Sequence, residues 1–104
     1  MTDKILVMTT AGSEAEARTI AFALVERRLA ACANIIPRIQ SIYRWQGKME
    51  EAEEYLLLVK TTADHFTQVR DAIEELHSYD LPECVAVPIW DGSEPYLKWI
   101  DSSL

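Results

Sequence analysis

Four side chains that could bind a metal ion or a small ligand stand close together near residue 80. His77, Tyr79, Asp80 and Glu83 place an imidazole, a phenol and two carboxylates directly after a predicted helix. One interpretation is helix-end chemistry, because the C-terminal end of a helix favours a positively charged imidazole before the chain turns. The other is that His77, Tyr79 and Glu83 line a cleft and coordinate a cation or a small ligand.

The two cysteines offer a different chemistry. Cys32 opens a predicted strand after the first helix, and Cys84 opens the last predicted strand. Both are explained as small buried hydrophobic residues, since thiols are often buried. Alternatively, the Cys32 thiolate is a soft ligand for Cu(I) or Zn(II). One thiol per chain is too few for a tetrahedral site, so such a site requires further ligands or other subunits.

Glutamates are concentrated on one predicted strand, at positions 50, 51, 53 and 54. Successive strand residues face opposite sides, so Glu51 and Glu53 share one face, which we interpret as a solvated strand edge blunted by charge. Glu54 lies on the other face, which it shares with Lys60. A carboxylate on that face predicts either a position near the end of the sheet or a polar pocket.

The sequence contains none of the common catalytic motifs. There is no GxSxG, Walker loop, GxGxxG or HExxH pattern, and all three glycines lie at predicted turns. A catalytic Cys/His or Ser/His/Asp set is not marked by any local pattern. We therefore predict a protein that is not an enzyme.

The charge and composition of the chain limit which binding partners and which cellular location are expected. The 104 residues include 17 acidic and 10 basic side chains, a net charge of −7. Nucleic acid is not an expected partner, because its binding depends on Lys and Arg neutralising phosphates. No apolar run is long enough for a membrane span, and no signal peptide is recognisable. Free thiols without a secretory signal predict a cytoplasmic location.

The element that must position these groups is an unusually long β-hairpin between Ile35 and Thr61, with its turn at Arg44-Trp45-Gln46-Gly47. Each arm is expected to reach about ten residues or more, against a usual strand length of about 5–6. Pro37 lacks an amide hydrogen, which predicts an edge or a bulge in the first arm. The backbone groups along the edges of such a long hairpin stay unpaired unless another subunit covers them. The hairpin therefore predicts an oligomer.

The other predicted elements are a first strand from Lys4 to Thr10, a helix that begins after Ser13, a second helix from Asp64 to His77 capped by Thr62 or Asp64, a strand from Cys84 to Trp90 and a short terminal helix. The resulting order is strand, helix, strand, strand, helix, strand. We predict one α+β domain spanning residues 1–104, a ferredoxin-like βαββαβ sandwich with a long β2–β3 hairpin and a short C-terminal helix.

Aromatic residues are numerous for a chain of this size. Several flank turns or the terminal helix, where a monomer would expose them: Tyr43, Trp45, Trp90, Tyr96 and Trp99. Aromatic residues in such places are typical of interface anchors, and ordinary core packing is the alternative.

Five segments together resemble the CutA family of divalent-cation tolerance proteins. They are Leu24–Pro37 (LVERRLAACANIIP), Ser41–Lys48 (SIYRWQGK), Leu58–Thr61 (LVKT), His77–Glu83 (HSYDLPE) and Tyr96–Ile100 (YLKWI). Their order and spacing cover nearly the whole chain. The resemblance implies a ferredoxin-like homotrimer similar in architecture to the PII signalling proteins, with a cytoplasmic role in the response to copper and other divalent ions.

The resemblance also assigns residues. Cys32 corresponds to the family's cysteine associated with copper. The family's intersubunit cleft corresponds to seven positions: Tyr43, Trp45, Glu54, Lys60, His77, Tyr79 and Glu83. The predicted metal ligands are therefore Cys32, His77, Glu54 and Glu83, and the other cleft residues are predicted to contact a ligand.

From these observations we predict a non-enzymatic homotrimer that binds divalent metal ions, with copper as the expected ion. One alternative is a PII-like regulator that binds a small anionic ligand in the cleft, where Lys60 and the aromatic residues would suit an anion. Another is a trimeric scaffold for a different protein.

Overall fold

The computed structural model describes residues 1–104. Four strands, three helices and one short 3₁₀ turn follow one another in the order β1 (Lys4–Ala11), α1 (Glu14–Glu26), β2 (Cys32–Trp45), β3 (Lys48–Thr62), the 3₁₀ turn (Ala63–His65), α2 (Phe66–Leu76), β4 (Val85–Pro88) and α3 (Glu94–Ser102). The strands form one antiparallel sheet in the order β2-β3-β1-β4. This arrangement confirms the predicted α+β, ferredoxin-like βαββαβ fold with a short C-terminal helix.

The hairpin is as long as its sequence predicts. β2 has 14 residues and β3 has 15, and they are joined by the two residues Gln46 and Gly47. Both turn residues have positive φ, 51° and 81°, as a type I′ hairpin turn requires. The hairpin contributes to an elongated molecule with a longest axis of 45 Å.

One face of the sheet packs against α1 and α2. Val7 and Leu57 from the sheet, Ile20 and Leu24 from α1, and Ile73 from α2 are all fully buried in this core. The apolar residues of α1 recur at helical spacing, so a single stripe of the helix supplies its share of the core. Packing against this core fixes the position of β1 and β3, and β3 carries the candidate site residues Glu54 and Lys60.

The ends of the helices are defined by local interactions. The Ser13 hydroxyl accepts a hydrogen bond from the Glu16 amide at 3.2 Å, which confirms the predicted N-cap of α1. The predicted cap of α2 is wrong, because no side chain caps that helix. A 3₁₀ turn precedes α2 instead, and the Thr62 hydroxyl pairs with Nδ1 of His65 at 2.7 Å. β4 is also shorter than the predicted span from Cys84 to Trp90.

The opposite face of the sheet is only partly covered. Ile100 of α3 is fully buried at one end of this face, while Ile36, Val85 and Val87 remain 41–49% exposed. Residues that are directly opposed on neighbouring strands share a face, which places Val85 and Val87 beside Met8 and Leu6. The result is an apolar sheet surface without a helical cover. None of the three helices is long and apolar enough to cross a membrane.

Candidate functional site

A cleft of about 700 Å³ lies between the hairpin and the loop that connects α2 to β4. Ser41, Tyr43 and Trp45 of β2 line one side, and residues of the loop, including Tyr79 and Glu83, line the other. Glu54 of β3 also contributes to the lining and is only 6% exposed. The structure thus brings together five of the residues that the sequence assigned to the site.

A β-bulge in β2 orients the hairpin side of this cleft. Ile36 pairs with Leu56 and Ile39 pairs with Glu54, so two β2 residues lie opposite one residue of β3. The bulge confirms the irregularity predicted at Pro37. It shifts the pairing by one position, and beyond it the odd-numbered residues of β2 share the face of Glu54. Tyr43 and Trp45 therefore project towards the cleft.

Tyr79 and Glu54 form the most buried polar contact in the cleft. The Tyr79 hydroxyl donates a hydrogen bond to Oε2 of Glu54 at 2.8 Å. Burial, followed by this hydrogen bond, raises the pKa of Tyr79 to about 12. Gly12 leaves room for this arrangement, because a Cβ at that position would lie 3.0 Å from the Tyr79 hydroxyl oxygen, closer than an ordinary contact. Oε1 of Glu54 receives no hydrogen bond from the protein.

Glu83 adds a second carboxylate to the cleft. Burial raises the pKa of the Glu83 carboxyl, and the nearby negative charge of Glu54 raises it further. A cation beside Glu83 would stabilise its ionised form, which burial and the neighbouring Glu54 charge disfavour. No Lys, Arg or His side chain lines the cleft.

His77 supports the cleft without lining it. Its side chain is fully buried, Nε2 lies 2.6 Å from the Thr10 carbonyl oxygen, and Nδ1 lies 3.1 Å from the Tyr79 amide nitrogen. A carbonyl only accepts and an amide N–H only donates, so the imidazole carries its proton on Nε2 and is neutral. Both ring nitrogens are engaged, and His77 offers no free lone pair to a metal ion.

Cys32 and Lys60 lie together at a different place on the sheet. They are directly opposed on β2 and β3, and Lys60 donates to the Asn34 side chain at 3.0 Å. The Cys32 sulfur lies 3.8 Å from the Tyr96 hydroxyl. Lys60 is six residues from Glu54 along β3, a separation of about 20 Å in an extended strand. Within one chain, these two residues are therefore outside the cleft.

The predicted metal ligands consequently do not form one cluster within the chain. Glu54 and Glu83 are close, His77 is engaged with the backbone, and Cys32 is distant. No group of three or more His, Cys, Asp or Glu residues is arranged to hold a metal ion.

The sequence interpretation missed the contacts that hold the loop in place. Glu16 of α1 accepts hydrogen bonds from the Ser78 amide at 2.8 Å and from the Ser78 hydroxyl at 3.1 Å. Glu16 is recognisable as a helix-capping residue, but nothing in its local pattern indicates a partner 62 positions away. With His77 and Tyr79, this contact anchors the loop at three points and fixes the wall of the cleft.

Comparisons with known proteins agree on one family. The family model described as "CutA1 divalent ion tolerance protein" matches residues 5–103. The divalent-cation tolerance protein CutA of Thermus thermophilus is 54% identical over 95 residues, which cover 91% of this chain and 92% of the relative. A solved structure from Archaeoglobus fulgidus, described as a periplasmic divalent cation tolerance protein CutA, superposes with a TM-score of 0.94 at 43% identity. That match covers 96% of this chain and 97% of the other.

Some relatives are longer proteins. The human protein CutA is 44% identical over 91 residues, which cover 88% of this chain and 51% of the human sequence. The chain therefore spans about half the length of that relative.

Proposed function

This chain belongs to the CutA1 divalent ion tolerance protein family, and we propose on that premise that it binds divalent metal ions, copper above all, as a non-enzymatic homotrimer. Its relatives are named for tolerance of divalent cations. The proposal therefore assigns to this chain the same general role and a particular set of ligands.

The pair of carboxylates in the cleft carries the proposal. Glu54 has one oxygen without a hydrogen-bond donor, and the pKa of Glu83 is raised by burial and by the charge of Glu54. A divalent cation between them removes their mutual repulsion and replaces the lost solvation. Two carboxylates do not complete a coordination sphere, so water or groups from a neighbouring subunit would supply the remaining ligands.

Oxygen ligands favour copper in the divalent state. Among first-row divalent ions, affinity for a given set of oxygen and nitrogen donors rises towards Cu(II) and falls again at Zn(II). A Cu(I) site would need soft sulfur ligands, and Cys32 is a single thiol distant from the carboxylates. We therefore place the divalent ion at Glu54 and Glu83, and not at Cys32 or His77.

The exposed apolar surface supports a trimer. The uncovered sheet face carries Ile36, Val85 and Val87, and the projecting hairpin carries Trp45 and Met49 at 46% and 62% exposure. β2 is also an edge strand with an unpaired side along its whole length. Surfaces of this kind are typical of subunit interfaces, and covering them with other copies of the chain removes both the apolar exposure and the free strand edge.

The anionic-ligand alternative is less well supported. It relied on Lys60, which lies outside the cleft within one chain, and the cleft itself has no basic side chain. A carboxylate or phosphate ligand would therefore meet Glu54 and Glu83 without a compensating positive charge.

Calorimetric titration of chelator-treated protein with Cu(II) and Zn(II) tests the proposed site. We expect Cu(II) to bind more tightly than Zn(II), and Glu54→Gln and Glu83→Gln each to weaken binding at least about tenfold. Glu53→Gln is the matched control, because Glu53 is the neighbouring strand residue on the opposite face with a 53% exposed side chain. Cys32→Ser should bind like the parent. Equal binding by the parent and both cleft variants would refute the site.

The location of the protein is part of the same proposal. Both cysteines are free, as expected in a reducing compartment, and this supports the cytoplasm. The Archaeoglobus relative is described as periplasmic. Immunoblotting of fractionated source cells separates the two locations, and recovery with periplasmic markers would overturn the cytoplasmic one.

A further inference from the structure

Glu16 has two natural partners, and the structure shows which one its carboxylate uses. With Ser13 it forms the Ser-x-x-Glu pattern of a capping box, in which the glutamate accepts a hydrogen bond from the backbone amide of the serine. The Ser13 hydroxyl does accept from the Glu16 amide, but the two carboxylate oxygens of Glu16 accept from Ser78 instead, at 2.8 and 3.1 Å. The carboxylate therefore holds the loop between α2 and β4 and does not cap its own helix.

The surroundings of Glu16 make this contact a firm one. Its side chain is only 17% exposed, whereas Glu14, the other acidic residue in the first turn of α1, is exposed. Hydrogen bonds to a carboxylate are charge-assisted, and they are shorter and stronger than those between neutral groups. Water would satisfy the same two donors of Ser78, but it would not connect the loop to α1.

Ser78 lies between two residues on which the cleft depends. Before it, the buried ring of His77 is held by the Thr10 carbonyl oxygen. After it, Tyr79 donates its amide hydrogen to Nδ1 of His77 and its hydroxyl hydrogen to Glu54, and the two rings are 4.6 Å apart. A displacement of Ser78 would therefore disturb the position of Tyr79 and its hydrogen bond with Glu54.

The other end of the loop carries Glu83. The chain enters β4 two residues later at Val85, which pairs with Met8 of β1, so the sheet holds this end. Between the two ends, the side chain of Leu81 is 73% exposed and adds little packing. The distance between the carboxylates of Glu83 and Glu54 thus depends on how firmly both ends are held, and Glu16 holds one of them.

We propose that Glu16 is a positioning residue of the cleft: by holding Ser78 it fixes the loop that carries Glu83, and so sets the affinity of the site for a divalent ion. This role rests on the proposed function, because the ion is placed between Glu83 and Glu54. Residues that orient the ligands of a metal ion without touching the ion typically change its affinity by about 10–100-fold.

Calorimetric titration of chelator-treated variants with Cu(II) tests this role. Glu16→Ala should weaken Cu(II) binding at least about tenfold, because the loop loses its connection to α1. Glu16→Gln should restore most of that loss, since its amide oxygen accepts from the Ser78 amide and its NH₂ group donates to the Ser78 hydroxyl. Ser13→Ala is the matched control. It removes the N-cap of the same helix without touching the loop, so it should lower the stability of the fold and leave Cu(II) affinity unchanged.

Hydrogen exchange of the Tyr79 amide, followed by NMR in metal-free protein, gives a readout that does not need the ion. Glu16→Ala should accelerate this exchange through local opening of the loop. In Ser13→Ala, exchange of the Tyr79 amide should increase only as much as that of core amides such as Val7, because the whole fold is then less stable.

The outcomes separate this role from the proposed metal function. Equal losses of Cu(II) affinity in Glu16→Ala and Ser13→Ala would mean that helix stability is the cause and would overturn the inference, as would parent-like Cu(II) binding by Glu16→Ala. Binding by Glu16→Gln as weak as that of Glu16→Ala would mean that Glu16 acts through its charge, with the same consequence. If the parent binds no Cu(II), the metal function fails, and Tyr79 exchange decides: faster exchange in Glu16→Ala supports the positioning role, and unchanged exchange overturns it.

Discussion

Tyr79 is held in its protonated form by its surroundings. Its hydroxyl is partly buried and donates to Glu54, and both effects favour the neutral phenol over the phenolate. The same hydrogen bond leaves Glu54 with one oxygen for a ligand. Tyr79 therefore acts as a positioning residue for Glu54, and its ionisation should change both the stability of the fold and the shape of the cleft.

The stability contributed by Tyr79 should disappear at alkaline pH. Its pKa is raised from 10.0 to about 12 in the folded protein, so the folded state retains this proton more strongly than the unfolded state. The resulting stabilisation is fully present below pH 10 and is lost as pH rises towards 12. Urea unfolding of the parent and of Tyr79→Phe at several pH values should show their stability difference declining across this window.

Glu54→Gln serves as the companion variant in that experiment. It keeps the burial of Tyr79 but replaces the carboxylate acceptor by an amide, so Tyr79 should ionise at lower pH than in the parent. Ultraviolet absorbance of the phenolate, with Tyr79→Phe as the blank, reports this midpoint. A stability difference that stays constant from pH 9 to pH 12 would contradict the assignment.

At the scale of the elements, the bulge in β2 divides the strand into a part that pairs with the core of the sheet and a part that lines the cleft. The strand before Pro37 is held by pairing with the half of β3 that carries Leu57 and Val59, whereas the strand after Arg38 forms one wall of the cleft. Arg38 has a φ of 60°, a left-handed conformation that costs a non-glycine residue free energy. Its side chain is 75% exposed and has only a 4.0 Å ion pair with Glu53.

Replacing Arg38 by Gly should therefore stabilise the fold. Glycine adopts positive φ without steric cost, and the expected gain in the free energy of unfolding is about 1 kcal/mol. Arg38→Val should have the opposite effect, because a β-branched residue is least tolerated in this conformation. Thermal and urea unfolding measure both.

Arg44→Gly is the matched control for that substitution. Arg44 lies in regular pairing with Met49 in the same strand and has no positive φ, so glycine there should destabilise the hairpin. If Gly were destabilising at both positions, the strain assigned to the bulge would be absent.

The elements were largely predictable from the sequence, and the reasons are physical. The helical spacing of Ile20 and Leu24 and the cap at Ser13 are local signals, and Pro37 marks a bulge because it lacks an amide hydrogen. The start of α2 was predicted wrongly because Thr62 forms its hydrogen bond with the His65 ring instead of with the helix. Local patterns do not reveal such competition between partners.

The site was less predictable, because its geometry depends on contacts between distant parts of the chain. Glu54, Tyr79 and Glu83 lie together in one cleft of the chain, and their assignment to an intersubunit ligand site stays a prediction. The role of His77 depends on the Thr10 carbonyl, 67 positions away, which no sequence pattern reports. The assignment of Cys32 and Lys60 to the same site as Glu54 stays a prediction about the assembly, because one chain keeps them apart.

At the scale of the whole molecule, two opposing forces act on assembly. The uncovered sheet face and the hairpin present apolar side chains that favour association. Each chain also carries a net charge of −7, so three chains together carry −21 (three times −7), and their repulsion opposes association. Apolar contacts are strengthened or unaffected by salt, whereas repulsion between exposed charges is screened.

Because salt screens the repulsion but does not weaken the apolar contacts, we predict a trimer that does not dissociate at high ionic strength. Sedimentation at micromolar concentration should give one species of about three times the 11.8 kDa chain mass, and raising the ionic strength to 1 M should not dissociate it. Val87→Glu should dissociate the trimer, because it places a charge on the uncovered apolar face. Val25→Glu is the matched control, since Val25 is exposed to a similar extent, 41% against 43%, but lies on α1. If both variants stay trimeric, this sheet face is not the interface, and if the parent sediments as a folded monomer, the proposed assembly is wrong.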